Sequence, residues 1–392
     1  MSRNYSIRNF LRNAPIHLIA QYLESHNIKL NIDFSKLKET NIKQVFDAIT
    51  AIEDDTQQKQ IGSDFQAIFQ MSIEGGIKQI LKAARFAGVE LEPIFEHMQG
   101  FYEKAFYTFM YHRDIFEASQ RFACTDYLPG RYWRKIKNLK PFIKPDFSNK
   151  NNTLADAIST YFKKVDDRGK SCLVDYYPQG NLHYYFCYPE DYSKTELLWE
   201  NGNFRRRNAN HAFEVIFVYD ADAESLDSFF DGDAKTDKAL KGIFAREVLD
   251  IESLPDKETV TYNLEVLKIP NFQFKKPLNS KIKKVLIHGV RFVTDDRKIV
   301  VTENNPKESV QALLNDIARN NPALRLSSDS INQITIQVIL EANNKKGQVS
   351  RTFSISYPGS CNLKYDENDL LIRQMIIDSG IEALPEKEAK VA

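Results

Sequence analysis

PGRYWRKIKNLKPFIKPDFSNK, residues 129–150, is the stretch on which the reading of this chain turns. Before it, apolar residues recur every three or four positions, the period of helices. After it, aromatic and β-branched runs are separated by Gly- and Asn-containing turns, the signature of hairpins. The segment itself carries seven Lys/Arg and one acid, with Tyr132, Trp133, Phe142 and Phe147 set among the charges. The whole chain balances 53 basic against 53 acidic residues, so this belt is a local concentration.

Upstream, Leu18, Ile19, Tyr22 and Leu23 begin a series of apolar stripes. Val45, Phe46, Ile49 and Ile52 repeat the spacing, as do Phe65, Ile68, Phe69 and Ile73, and later Phe101, Ala105, Phe106 and Phe109. Each stripe must bury itself on another, which predicts a bundle of five or six helices over residues 1–128. Asn41 is placed to cap the second of them, and Gly75-Gly76 and Gly88 to punctuate later ones.

Downstream, a helix near 153–165 precedes a hairpin built from 171–177 and 182–188 around Pro178-Gln179-Gly180-Asn181. A second hairpin turns at Asn201-Gly202, and HAFEVIFVY (211–219) reads as a buried strand. Residues 234–248 read as helix and 259–267 as strand. From 281 the pattern repeats: strands at 282–293 and 298–302 with a helix near 307–318, then strands at 331–340 and 349–357 with a helix near 368–379. Two strand-hairpin-helix units imply two similar lobes or one sheet with helices on one face. The expected class is α+β: a bundle (1–128), a basic aromatic connector (129–150), an α+β domain (151–275) and a second one (276–392).

Composition bounds the function. No tract is apolar enough to span a bilayer, which argues against a membrane partner. Cys124, Cys172, Cys187 and Cys361 show no CxxC spacing, which favours a reducing compartment over a disulfide framework or zinc ribbon. The cytoplasm is therefore the expected location. Abundant Lys, Asn and Ile fit a bacterial, AT-rich genome.

The belt carries the first functional expectation. Arg131, Arg134, Lys135, Lys137 and Lys140 could neutralise phosphates while Tyr132 and Trp133 stack on bases. The competing reading is a connector whose Trp133 and Phe142 plug onto the bundle while the lysines stay in water. A third possibility is that the belt pairs with the chain's own acidic edge around Asp220–Asp233. The Gly169-Lys170-Ser171 tripeptide lacks the upstream glycine of a phosphate loop and lies between a helix and a strand, the wrong order. Asp220 and Asp222 end a strand, where paired carboxylates can hold Mg²⁺. Glu265 and Lys268 are one residue too far apart for the Glu-x-Lys of a restriction-type nuclease. Arg12-Asn13-Ala14-Pro15-Ile16-His17 resembles the Arg-x4-His spacing of helical ribonucleases of the HEPN class. That resemblance covers six residues and implies Arg12 and His17 acting on a phosphodiester, but Pro15 starts a helix between them. Tyrosines 176, 177, 184, 185, 188 and 192 read first as cross-strand packing.

The sum is a binding or adaptor protein that engages a protein partner and, second, nucleic acid. No cofactor and no metal are expected. The alternatives are a nuclease using Asp220/Asp222 or Arg12/His17, and a structural subunit of a mobile-element or defence complex.

Overall fold

Pro15, Asp54 and Pro93 divide the helical period of the N-terminal region into more pieces than the apolar stripes alone indicate. The computed structural model describes residues 4–38, 40–125, 133–200, 202–255, 260–278, 280–293, 298–322, 324–341, 348–363 and 367–382. At 124–125, 298–305, 348 and 367 it describes the backbone only. They form two compact units, 1–128 with 199–205, and 129–198 with 206–392. The architecture is α+β, with helices first and antiparallel sheets after them. Among the described residues no helix is long and apolar enough to cross a membrane.

The first unit contains α1 (Ile7–Leu11), α2 (Ile16–Ser25), α3 (Ile42–Thr50), α4 (Asp55–Met71), α5 (Glu74–Phe86), α6 (Glu92–Glu96), α7 (Gly100–Tyr111) and α8 (Arg113–Thr125). Pro15 is the N-cap of α2 and separates it from α1. Asp54 caps α4, accepting from the N–H groups of Thr56 and Gln57. Asn41 sits at the α3 N-cap, but its Oδ1 turns back to accept from Lys38 N. Gly75 and Gly76 do not break a helix; they lie in the first turn of α5. A Cβ at Gly76 would collide with the Met71 carbonyl, so glycine lets α5 start directly against the end of α4. The core is aromatic: Phe10 stacks on Phe65 at 4.4 Å, and the buried Tyr22 donates to Asp64 Oδ2 at 2.7 Å. The tyrosine hydroxyl and the carboxylate satisfy each other where neither meets water.

Two sheets build the second unit, residues 199–205 of the first excepted. One has the order β1-β6-β5-β3-β2, with β4 paired to β3: β1 (Trp133–Ile136), β2 (Cys172–Gln179), β3 (Leu182–Glu200), β4 (Asn203–Ala212), β5 (Val215–Asp220) and β6 (Ser225–Phe230). The first hairpin turns one residue later than the Pro178 pattern implies. Gln179 pairs with Leu182, and Gly180 takes the positive φ that a two-residue turn needs. Helices α9 (Asn151–Asp166) and α10 (Ala234–Leu249) bury Leu154, Ile158, Phe162, Leu240 and Phe244 in one cluster with Tyr185, Phe217 and Tyr219 of the sheet. The 211–219 run is split: β4 ends at Ala212, and β5 is buried from Val215 to Tyr219.

The second sheet runs β11-β10-β9-β7-β8: β7 (Ile282–Val293), β8 (Lys298–Lys307), β9 (Ser330–Glu341), β10 (Gln348–Ser356) and β11 (Ser360–Cys361). The two repeated units share this one sheet, β7 pairing with β9. Their helices α11 (Val310–Asn320) and α12 (Glu367–Asp378) join a single cluster with Ile287, Phe292, Ile334, Ile336 and Phe353. The turns at Asp295-Asp296 and Asn343–Gly347 lie outside the described residues. The 259–267 strand is a 3-10 helix instead, Leu264–Lys268, because Asn263 caps it through Glu265 N. That turn brings Glu265 and Lys268 together at 2.5 Å, where a strand would part them.

Strand β1 belongs to both halves of this unit. One edge pairs with β6, and the other meets the segment before β11: Lys135 N donates to Gly359 O at 2.6 Å, and Ser360 Oγ to Trp133 O at 2.9 Å. A Cβ on Gly359 would stand 2.5 Å from the Lys135 carbonyl oxygen, a backbone atom that cannot step aside. Gly359→Ala is therefore expected to lower stability by about 1–3 kcal/mol, read as a lower urea midpoint with unchanged slope.

Candidate binding site

Three elements converge on the described part of the belt: β6, α10 and the C-terminal residues up to Glu382. Trp133 is buried against the Phe229 ring at 5.5 Å, on β6. Lys135 stands opposite Asp227 across the β1–β6 ladder. Its Nζ lies 3.4 Å from Asp227 Oδ2 and 3.1 Å from Glu382 Oε1, and Lys137 Nζ lies 2.9 Å from the same Glu382 oxygen. Arg373 of α12 closes the group, 3.7 Å from Asp227 and donating to Leu363 O at 2.6 Å. All five side chains are less than a tenth exposed. A buried charge is tolerable only when paired in this way.

The charges tune one another. Burial pushes the Lys135 ammonium down, but Asp227 and Glu382 together more than offset it, leaving its pKa raised. At Lys137 burial outweighs the attraction of Glu382 and Asp227, lowering its pKa. Burial raises the Glu382 carboxyl, and the two lysines outweigh it, so its pKa falls below the ordinary value.

The lysines expected to reach phosphates are thus engaged internally at 135 and 137. Lys140 is exposed, 3.8 Å from Glu224. Phe142, expected to plug onto the bundle, is fully exposed. Arg131 and Tyr132 lie outside the described residues. Of the acidic edge, Asp227 takes the pairing role. Asp220 is occupied as a turn acceptor for the N–H groups of Asp222 and Ala223, and Asp233 caps α10. Asp222 accepts from Asn181. Among the described residues no group of three or more His, Cys, Asp or Glu could hold a metal ion. Arg12 is the C-cap of α1 and His17 lies in the first turn of α2, both exposed. Gly169 follows the left-handed end of α9 and abuts Phe162, a helix-to-strand turn.

Arg134 points differently. Its Nη2 donates to Gly232 O at 3.0 Å, and its Nη1 lies 3.8 Å from Asp237 Oδ1. That buried Nη1 has no hydrogen-bond partner. Arg134 lines a cavity of about 380 Å³ formed by β1, α10, residues 254–255 and residues 357–360. The spacing of Ala234, Asp237, Lys238 and Lys241 puts them on one face of α10, and that face lines the cavity. Lys241 is buried, its Nζ 2.8 Å from Asp237 Oδ2, and burial chiefly lowers its pKa. Asp237 Oδ1 also accepts from Ser228 Oγ at 2.5 Å. Lys238 is exposed. Sequence reasoning missed Lys238, Lys241 and Tyr357. The i, i+4 spacing of Asp237 and Lys241 on the expected 234–248 helix was a signal for Lys241. Nothing local pointed to Tyr357.

The tyrosines of the first hairpin are mostly structural. Tyr185 is buried and donates to Phe147 O at 2.7 Å. His183 is stacked 3.7 Å from the Phe147 ring, with Nδ1 2.8 Å from the Tyr176 hydroxyl. Burial, helped by Lys144, holds its imidazole down at about 4. The unfolded chain binds that proton near pH 6.5, so this group stabilises the fold fully above 6.5. Its contribution is expected to be lost as pH falls from about 6.5 toward 4, at up to about 1.4 kcal/mol per pH unit. Urea midpoints measured across that range check it, and His183→Gln should flatten the slope.

No protein-family model, curated protein or solved structure matches this chain.

Proposed function

We propose that this chain is a binding protein whose C-terminal unit captures an anionic group of its partner in the cavity beside Arg134. The observation that supports this is a cavity lined by three cations, Arg134, Lys238 and Lys241, beside a single carboxylate, Asp237. Three cations beside one carboxylate favour an oxygen ligand there. The neighbouring cations favour that oxygen being charged. The binding role outlined by the belt is kept, but its centre moves from the run of lysines to Arg134 and α10. The free thiols of Cys172, Cys187 and Cys361 favour the cytoplasm as its location.

Thermal unfolding of the full chain in rising inorganic phosphate tests the reading. A ligand at 100 times its Kd stabilises by about 2.7 kcal/mol, so a saturating rise in Tm is expected. Sodium chloride at matched ionic strength should not reproduce it. Arg134→Gln should remove the rise, and so should weaken it Lys238→Ala, a surface change that leaves the fold intact. No rise in the unmodified chain, or an equal rise in both variants, would rule the reading out.

A further inference from the structure

The lining of the cavity is of two chemical kinds, and they come from different elements. Cations are supplied by β1 and α10; residues 254–255 and 357–360 supply Leu254, Pro255, Tyr357 and Pro358. Resting on the anion-binding reading above, we infer that the captured group is a phosphate monoester carried on a planar ring, the chemistry of a nucleotide.

Charge selects the head group. Lys135 also borders the cavity, but its ammonium is already held by Asp227 and Glu382. Apart from Lys135, the lining carries Arg134, Lys238 and Lys241 against one carboxylate, Asp237, an excess of two positive charges. A phosphate monoester carries about −1.5 to −2 at neutral pH, where a carboxylate carries one charge. The dianion is the better complement.

Size and surface select the rest. The cavity volume of about 380 Å³ falls within the range of small-molecule sites. An inorganic anion would occupy its charged part and leave the prolines and Tyr357 facing water. Tyr357 is half-exposed, so its ring is open to a stacking partner. The prolines flanking it are rigid and apolar, which suits a flat, uncharged body. The phosphate and ring could belong to a free mononucleotide or to the phosphorylated end of a nucleic-acid strand. Both present the same chemistry to the site.

Binding to the full chain should be measured by calorimetry with four probes: inorganic phosphate, adenosine, adenosine 5′-monophosphate and a 5′-phosphorylated oligothymidine. The monophosphate is expected to bind about tenfold tighter than phosphate, the contribution of one stacked ring. Tyr357→Ala should abolish that advantage while leaving phosphate affinity unchanged. Adenosine alone should bind at least tenfold more weakly than its monophosphate. If the oligonucleotide matches the mononucleotide, the natural source is a strand end; if it does not bind, the source is a free nucleotide. Phosphate and monophosphate of equal affinity, or an advantage that survives Tyr357→Ala, would overturn the nucleotide inference and leave anion capture standing. Absence of binding by phosphate and monophosphate alike would overturn both.

Discussion

Glu382→Gln is expected to destabilise the second unit by about 3–5 kcal/mol, the range for removing one partner of a buried ion pair. Glu382 Oε1 holds both Lys135 and Lys137, and its side chain is 3% exposed. The neutral amide cannot balance two ammonium groups that water does not reach. Glu382 N also bonds back to Ile376 O, and its strand-like bridge to Tyr262 ties the segment after α12 to residues before β7. Most domains are stable by only about 5–15 kcal/mol, so the loss should be plain in a urea titration. Because the folded carboxyl has a depressed pKa, its contribution is present above the unfolded value near 4.3 and lost as pH falls through the folded one. The variant should lack that acid-dependent part. Adding Lys137→Met should recover some of the loss, since the double variant removes an unpaired charge along with its partner. A Glu382→Gln protein as stable as the parent would show that the cluster is open to water.

Asp237→Asn should have a comparable cost, about 3–5 kcal/mol, for the same reason. Lys241 has its ammonium 2.8 Å from this carboxylate and a side chain only 5% exposed. Burial already lowers the Lys241 pKa, and losing Asp237 lowers it further. An unfolded lysine titrates near 10.4, so between the folded pKa and that value the unfolded state binds more protons. The parent's folded pKa lies between the variant's and that value, so the deficit should shrink as pH rises from the variant's folded pKa to the parent's and stay constant above it. Asp237→Asn also removes the lone lining carboxylate among the cavity's charged groups, so phosphate should bind it more tightly than the parent. Stability and affinity are expected to move in opposite directions, which a general loosening of the fold would not produce. Urea midpoints and phosphate calorimetry on the same sample read both.

Local pattern carried much of the secondary structure. The strand at 282–293 coincides with β7, and α11 and α12 fall within a few residues of their expected places. These elements have long, clean periods whose buried face the residues themselves declare. Two strands were not legible. Trp133–Ile136 contains two consecutive charged residues between a tryptophan and an isoleucine, and Ser225–Phe230 carries a buried aspartate. Neither alternates as a strand should, because the polar members are satisfied by one another across the ladder. The 259–267 segment reads as a strand by composition and is turned by a single asparagine cap.

The candidate site divides along the same line. Sequence alone determined that positive charge concentrates at residues 129–150, and that helices precede it and hairpins follow it. It could not determine which of the basic side chains meet solvent. Lys135, Lys137 and Arg134 are neighbours in sequence, yet the first two are matched by carboxylates 92 to 247 residues away in a buried cluster while the third lies 3.8 Å from Asp237 and lines the cavity. Only tertiary structure decided that, since pairing depends on distance through space, and a charge taken out of water is fixed by whichever partner the fold delivers to within about 4 Å.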